Sequence, residues 1–485
     1  MILAPMHARF ASDRRRLDAA YFCSPGIQAM EALTRIRESG VSTALLADKA
    51  SVFHPNRFKR LPASRSEEKL PFLRAFDVFE FLPQPAGWIS ARRTEKLDSL
   101  RVDEGQILLT RSGRNLGPSV LVDSYLSDFI PSDDLLRITF SDQTFGYYAY
   151  AFLRSAPGQD LLRQDKTGSV IDHLSADQVG SQLVPVFDEI FSQVAAAIER
   201  SVTLRGTARR TLSDALNEAD QLFAVDEGSP LRDGWTTRAS SLMGRIDAAY
   251  HQHRVEVLRR SLLSAGGTRL GDVAAVLKPG GRYKTYYVGH EHGRPLLSGR
   301  NLLQAWPIGL KSISTRSIPE GAGYELAPGW ICFQADGRAE EKLGFPILVT
   351  SDRAGWLASG HVARVIPNVG TDPGWLWTAL ASNVVQTQIS AIACGSVVDA
   401  LYEDDVRRIV LPPPTALTDG GEVTGAWEAF ATASQLEANA IELVEKAFSQ
   451  RAGLLEPHGG SPSRLPSTRT PVEQAAARPA TSRRP

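Results

Sequence analysis

Short apolar runs alternate with polar turn residues along most of the chain. The runs are rich in Val, Ile, Leu and aromatic residues, and Gly, Pro, Asp and Ser separate them, as is typical of short β-strands. The predicted strands are 106–110, 119–122, 135–140, 330–334, 346–350 and 361–366. Apolar residues at helical spacing follow at 146–163 and 374–393. The pattern predicts an α+β fold with twisted, mostly antiparallel sheets and a few helices.

Two longer stretches, 186 to about 223 and 426 to about 455, have a helical period throughout, with polar residues between the apolar positions. Gly206 is a candidate for a loosened turn within the first of these helices. About 35 residues at 1.5 Å per residue span about 50 Å. This length exceeds the width of one folded α+β unit of the kind predicted above. Pairing of the two helices as an antiparallel coiled coil explains both apolar stripes. The stripe residues are Ile190, Val194, Ile198, Leu212 and Leu216, then Trp427, Phe430, Ile441, Val444 and Phe448.

The chain also repeats itself. Residues 16–21 (Arg-Leu-Asp-Ala-Ala-Tyr) return as 245–250 (Arg-Ile-Asp-Ala-Ala-Tyr), and 168–174 (Gly-Ser-Val-Ile-Asp-His-Leu) return as 395–401 (Gly-Ser-Val-Val-Asp-Ala-Leu). Between them, two glycines that bracket a predicted strand recur at a similar offset. A nearly constant offset through several separate matches indicates a duplication.

The repeat defines the predicted domain organisation. Two modules, 1–185 and 229–414, are each followed by a spacer helix, 186–228 and 415–456. The remaining residues, 457–485, are Pro, Ser, Arg, Thr and Ala without periodicity, which predicts a disordered, mildly basic tail.

Composition adds few constraints. The 485 residues include 54 Lys+Arg and 54 Asp+Glu, so a nucleic-acid role has to rest on local basic surfaces. No stretch has the length and apolarity of a signal peptide or membrane span, which predicts a cytoplasmic protein without membrane contact. The three cysteines are far apart, so neither a disulfide framework nor a zinc site is indicated.

Motifs for catalysis are missing from the sequence. It has no Walker-type phosphate loop, GxSxG elbow, HExxH or paired acidic motif. The prolines at 412–414 follow Leu411, whereas the Asn/Asp-Pro-Pro-aromatic signature of amino-methyltransferases requires Asn or Asp at that position. The His290-Glu291-His292 cluster has no counterpart in the first copy, so we interpret it as a surface loop. We therefore expect no catalytic residue, metal or cofactor in this chain. An enzyme with an unrecognised site stays open as an alternative.

Taken in order, the motifs resemble the specificity (S) subunit of type I restriction-modification systems. The resemblance lies in the repeated module opening and in the segments 270–274 (Leu-Gly-Asp-Val-Ala), 299–301 (Gly-Arg-Asn), 329–333 (Gly-Trp-Ile-Cys-Phe) and 395–414. It covers almost the whole chain apart from the tail. The first copy departs from it in having Ala47 and Ala75 where the second has Gly271 and Gly299.

This resemblance implies a non-catalytic DNA-recognition subunit of a restriction-modification or related phage-defence complex. Each module would be a target recognition domain for one half of a bipartite site in double-stranded DNA. The helices, with the ten stripe residues named above, would be the partner-binding elements that dock two methyltransferase (modification) subunits, and restriction or translocase subunits would join in a larger assembly. A non-catalytic scaffold that binds other proteins is the alternative left open.

DNA contacts require basic and hydrogen-bonding side chains in loops. Such residues recur at matching places in the two copies, which favours a shared ligand surface over merely solvated loops. The predicted DNA-binding residues are Arg57, Lys59, Arg60, Arg111, Ser112 and Arg114 in the first module, and Arg282, Tyr283, Lys284, Arg300, Asn301 and Arg338 in the second. Tyr286 and Tyr287 fit either a groove contact or a half-buried strand.

Overall fold

A computed structural model describes residues 22, 24–113, 116–164, 173–223, 234–242, 244–279, 285–318, 323–338, 342–395 and 397–453. Four predicted DNA-binding residues, Arg114, Arg282, Tyr283 and Lys284, lie outside the described residues, as do residues 16–21 and the predicted tail. The fold mixes helices and sheets, as the sequence predicts.

The first half contains nine strands and six helices within its described residues. The strands are β1 Thr43–Leu45, β2 Ala50–Phe53, β3 Lys69–Leu73, β4 Gly87–Ser90, β5 Ile107–Thr110, β6 Ser119–Leu121, β7 Ile130–Pro131, β8 Leu135–Phe140 and β9 Leu183–Pro185. The helices are α1 Pro25–Glu38, α2 Leu46–Lys49, α3 Gln143–Arg154, α4 Ala156–Gln164, α5 Ala176–Gly180 and α6 Asp188–Leu222. Short 3-10 turns occupy Asp77–Phe79, Leu97–Ser99 and Leu126–Asp128.

The second half follows the same order with three added strands, β12, β16 and β20. Its strands are β10 Thr268–Arg269, β11 Ala274–Leu277, β12 Tyr287–Val288, β13 Arg294–Leu297, β14 Lys311–Ile313, β15 Ile331–Gln334, β16 Asp336–Gly337, β17 Pro346–Leu348, β18 Leu357–Ala358, β19 Val362–Pro367, β20 Asp399–Ala400 and β21 Val410–Leu411. Its helices are α7 His253–Ser264, α8 Leu270–Val273, α9 Gly299–Leu302, α10 Pro373–Ala381, α11 Asn383–Ile392, α12 Glu403–Arg407 and α13 Gly420–Arg451.

The duplication is visible in the sheets. The main sheet of the first half has the order β2-β8-β5-β6, and that of the second half has the equivalent order β11-β19-β15-β17. Their registers agree as well, because Ala50 pairs with Phe140 in one and Ala274 with Pro367 in the other. A smaller sheet, β4-β3-β7 or β12-β14-β13-β18, accompanies each main sheet and includes one parallel pair in both halves.

Each predicted helix after the main sheet is broken in the middle by a buried serine. Ser155 separates α3 from α4, and Ser382 separates α10 from α11; each hydroxyl bonds a backbone carbonyl three residues earlier. A glutamine four residues later, Gln159 or Gln386, donates to the carbonyl exposed by the break. The sequence pattern misses the break because the apolar period continues across it.

The long helices α6 and α13 lie side by side and run antiparallel. Glu189 near the start of α6 meets Arg451 at the end of α13 at 2.8 Å, Arg205 meets Glu437 at mid-helix, and Glu218 meets Thr418 just before α13. The helix is continuous through Gly206, where the sequence suggested a loosened turn. A Cβ at Gly206 would lie 2.7 Å from Ser124 Oγ, so the glycine permits a close approach.

The helix stripes are buried within the chain itself. Val194 and Ile198 share a core with the first main sheet and with Ile441 and Val444. Leu212, Leu216, Trp427 and Phe430 belong to a second core that contains the other main sheet. Both helices therefore contribute to both cores, which fixes the two halves relative to each other.

The two halves also touch directly along a seam formed by residues 79–81 and 303–305. Phe81 N donates to Leu303 O at 2.8 Å, and Ala305 N donates to Phe79 O at 2.9 Å. Phe79 and Phe81 are equivalent to Leu303 and Ala305 in the repeat, so the two bonds are related by a pseudo-twofold axis. The guanidinium of Arg353 caps the second-half side of the seam by donating to Leu302 O and Gln304 O.

Candidate nucleic-acid interface

Four loops converge at one end of the first main sheet. His54 follows β2, Arg111 and Ser112 follow β5, and Asp133 precedes β8. His173 belongs to the fourth loop, ahead of α5, and forms an isolated antiparallel bridge with Ser112. The sequence separates these residues by up to about 120 positions, and the sheet connections bring them together.

The side chains of this cluster hold one another. Arg111 Nη1 donates to His54 Nε2 at 2.8 Å, and Arg111 Nε donates to Leu174 O at 3.3 Å. Burial, followed by the neighbouring Arg111 charge, lowers the pKa of His54 below its usual value of 6.5. His54 is therefore a neutral acceptor that orients a charged arginine, while Ser112 Oγ bonds His173 Nδ1 at 2.9 Å.

The basic loop after His54 carries the other first-half candidates. Arg57 and Lys59 are exposed. Arg60 is exposed as well but is fixed by an ion pair with Asp133 at 3.2 Å and by the ring of Phe72, 4.7 Å from the guanidinium carbon. The loop therefore offers two unrestrained cations and one oriented cation beside Arg111.

The second half places a different set of side chains at the equivalent four-loop end. In the repeat alignment, Lys278 is equivalent to His54, Asp336 to Ser112 and His361 to Asp134. Asp336 Oδ1 accepts from Lys278 Nζ at 2.7 Å, and Asp336 Oδ2 lies 2.8 Å from His361 Nδ1. The His361 side chain is 74% exposed, so its Nε2 edge faces solvent while the carboxylate fixes its ring.

The three described residues of the second-half DNA-binding prediction lie in different surroundings. Arg338 is exposed and lies two residues beyond Asp336, at the four-loop end. Arg300 is also exposed, but its guanidinium lies 5.7 Å from the Phe76 ring, close to the seam. Asn301 is buried; its amide donates to Ile308 O at 2.9 Å and its oxygen accepts from Ser298 Oγ, so in this structure it holds a turn and does not face a ligand.

The helix residues predicted to bind partner subunits lie inside the chain. Of the stripe, Ile190 alone is partly exposed, while Val194, Ile198, Leu212, Leu216, Trp427, Phe430, Ile441, Val444 and Phe448 are buried. A docked subunit would meet the outer, polar residues of α6 and α13 instead. The stripe residues therefore pack the helices against each other and against the sheets, and their predicted role in binding partner subunits is corrected.

Aromatic side chains are exposed on the smaller sheets. Tyr287 on β12 has Lys311 Nζ 4.6 Å from its ring centroid, and Trp88 on β4 has Lys69 Nζ at 6.0 Å. Tyr286 and Tyr287 are both about half exposed or more, and Tyr287 lies on β12, so their positions fit a groove contact and a half-buried strand equally well. An exposed aromatic ring with an adjacent cation is a suitable surface for nucleotide contacts.

Sequence reasoning missed six members of the two clusters: His54, Asp133, His173, Lys278, Asp336 and His361. The scattered histidines of the sequence seemed unrelated because the loops that unite them are distant in the chain. The repeat offset could have identified them, since residues aligned with Ser112 and His54 occupy the same loops in the second copy.

Among the residues that the structure describes, no group of three or more His, Cys, Asp or Glu is placed to hold a metal ion. Within the same residues, none of the helices combines the length and apolarity that a bilayer crossing requires.

Comparison with known proteins gives matches to solved structures only. No family model matches the chain, and no curated protein matches it. A crystal structure described as the type I restriction-modification S subunit from M. genitalium is 12% identical, with a TM-score of 0.29, over 85% of this chain and 93% of that one. The HsdS subunit from Thermoanaerobacter tengcongensis is 15% identical, with a TM-score of 0.25, over 85% and 96%.

A third chain comes from work described as the structural basis of complex assembly and conformational transition of the type I R-M system. It is 16% identical, with a TM-score of 0.26, over 84% of this chain and 97% of that one. All three descriptions concern type I restriction-modification systems, and two of them name the S or HsdS subunit.

Proposed function

We propose that this chain is the sequence-specific DNA-binding subunit of a type I restriction-modification or related defence complex. The modules 1–185 and 229–414 would each read one half of a bipartite site. The observation that carries the proposal is the four-loop end, which occurs twice on the same sheet framework but with different side chains in each half.

Differences between the two clusters support two different half-sites. In the first half Arg111 presents a cation beside Ser112, which suits guanine O6 and N7 or a phosphate. In the second half the Asp336 carboxylate neutralises Lys278 and orients His361. Because the donors and acceptors differ, equal base preferences are not expected, and the recognised site is asymmetric.

The proposed spacing follows from the helix pair. The 35 residues of α6 span about 50 Å at 1.5 Å per residue, more than the 34–36 Å of one DNA turn. We propose that α6 and α13 act as an antiparallel coiled coil that sets the distance between the readers. The seam supports a fixed distance, because the two halves are hydrogen-bonded to each other as well as to the helices.

We propose that the chain itself is non-catalytic and that methyltransferase subunits supply the chemistry. Two such subunits would dock on the outer faces of α6 and α13, where Glu199 and Lys446 are exposed and Glu442 is partly exposed. Methyl donor, metal and nucleotide would then bind to partners, and restriction subunits would join the complete assembly.

Duplex binding by the full chain, followed across about 50 to 200 mM salt, tests the proposal directly. We expect affinity to fall steeply with salt, and Arg111→Ala to weaken binding while Lys446→Ala leaves it unchanged. Salt-independent binding, or no binding with the methyltransferase subunit present, would favour a protein-binding scaffold. Mapping methylated adenines in host DNA is expected to give two different short half-sites at a constant separation.

A further inference from the structure

The buried positions of α6 and α13 match when the helices are aligned on their first residues. Asp188 and Gly420 begin the helices, so the offset is 232 residues. At that offset Val194, Ile198 and Leu212 correspond to Ala426, Phe430 and Val444, and all six are buried. The same alignment makes Arg205 the equivalent of Glu437.

Arg205 and Glu437 are also in contact with each other. In an antiparallel pair of equivalent helices, a residue meets its own equivalent only where the pseudo-twofold axis crosses the pair. The seam shows the same relation, since Glu80 and its equivalent Gln304 form a bridge. The axis therefore passes through two places, and at the helix pair it passes through a pair of opposite charges.

The charges at this position are deeply buried. The Glu437 side chain is 0% exposed and contacts the guanidinium groups of Arg205 and, at 2.8 Å, Arg154; Tyr150 Oη lies 3.1 Å from Glu437 Oε1. Burial opposes ionisation of Glu437, but the two arginines outweigh it and lower the pKa of its carboxyl. Among the described residues, Arg205 Nε and Nη2 find no hydrogen-bond acceptor.

Stability alone does not explain such a cluster. Apolar residues of similar volume in place of a buried ion pair often leave stability unchanged or raise it, whereas removal of one partner is strongly destabilising. A single buried polar position within an apolar helix pair is, however, an effective way to select one pairing over others. Pairing α6 with a second α6 would oppose Arg205 to Arg205, and pairing α13 with a second α13 would oppose Glu437 to Glu437.

We propose that the Arg205–Glu437 pair restricts the helix surface to partners of the opposite half, so that a first half never pairs with another first half, nor a second half with another second half. The partner that fits is the complementary half of the same chain or of a second copy. On the proposed function, this keeps two different readers in each assembly. Failure of the pairing rule can be distinguished from failure of the proposed function, because pairing is measured without DNA.

Charge reversal in the full chain tests this pairing rule. R205E creates two facing carboxylates and E437R creates two facing guanidinium groups, so each variant alone is expected to unfold at a lower temperature than wild type. Refolding the two variants together should yield a 1:1 dimer by light scattering, because the carboxylate introduced at 205 of one copy then meets the guanidinium introduced at 437 of the other. The double variant R205E/E437R should fold as a monomer.

K446E is the matched control, since it changes net charge as R205E does but at an exposed position of α13. It should refold as a monomer alone and in mixture with E437R. The proposal is overturned if the mixture of R205E and E437R gives no dimer while R205E/E437R folds, or if either single variant forms a homodimer. Failure of R205E/E437R to melt above E437R would also overturn it, because Arg154 faces a guanidinium at 437 in both variants and only charge complementarity with residue 205 distinguishes them.

Discussion

The Phe81 ring of the first half lies beneath the guanidinium of Arg353 of the second half, 4.3 Å from the guanidinium carbon to the ring centroid. Trp427 and Phe430 of α13 surround the same ring at 5.0 and 5.1 Å. Phe81 therefore joins both halves and the helix pair at one point. A reciprocal contact exists on the other side, where the first half's Arg154 lies 4.3 Å from the ring of the second half's Trp306.

Phe81→Ala should destabilise the whole chain. Truncation of a fully buried phenylalanine costs about 3–5 kcal/mol of unfolding free energy, and here the cavity would open between the halves. Denaturant unfolding measures the change. Phe53→Ala, at a side chain 40% exposed, is the control and should change the free energy by much less. Equal effects of the two variants would show that the seam does not couple the halves.

The seam should also make stability depend on pH through Glu80. Burial raises the pKa of Glu80 from 4.5 to about 7, although Lys342 Nζ lies 2.6 Å from its carboxylate. The folded state therefore holds a proton that the unfolded state releases, so this contribution to stability is present below pH 4.5 and is lost as pH rises through 7.

Glu80→Gln removes this titration and keeps a polar side chain of the same size. The difference in melting temperature between Glu80→Gln and wild type should therefore shift in favour of the variant between pH 5 and pH 8. Glu95→Gln, at an exposed glutamate of the first half, controls for the loss of one carboxylate. A difference that stays constant with pH would show that Glu80 ionises as easily in the folded chain as in the unfolded one.

Local periodicity predicted much of the fold, but packing decided the rest. The strand 135–140 appears with the predicted bounds because its apolar run ends at turn residues on both sides. The helix break at Ser155 leaves no trace in the apolar period. The sequence likewise does not show that α6 passes so close to Ser124 at Gly206 that a side chain there would meet the serine hydroxyl.

The candidate site was predicted only in part, and for a related reason. Basic residues in repeated loops stand out in a sequence, so Arg57 and Arg111 were found. The partners that orient them, such as His54 and Asp133, come from other loops, and only the sheet order shows that these loops meet. Asn301 is the opposite kind of error, because the sequence predicted a DNA contact for a side chain that is buried in its own turn beside the exposed Arg300.

The two clusters should affect different half-sites. His361→Ala removes the exposed imidazole of the second half and should weaken binding to one half-site by about 1–3 kcal/mol, the range for a good base contact. Arg111→Ala should weaken the other half-site to a similar extent. Duplexes with one half-site scrambled at a time separate the two effects. If either substitution weakens both half-sites equally, the model of two independent readers is wrong.

Binding to the first half-site should depend on pH through His54. The folded-state pKa of His54 lies below 6.5 because burial and then Arg111 disfavour the imidazolium, against the opposing influence of Asp133 and Asp134. The ring that accepts from Arg111 is therefore neutral above pH 6.5, and its contribution to stability is lost as pH falls below that value.

His54→Gln keeps an acceptor for Arg111 without titrating near neutrality. We expect wild-type affinity for the first half-site to change between pH 7.5 and pH 5.5 relative to His54→Gln, with no such difference at the second half-site. Identical pH profiles for the two proteins at the first half-site would mean that His54 does not position Arg111 on DNA.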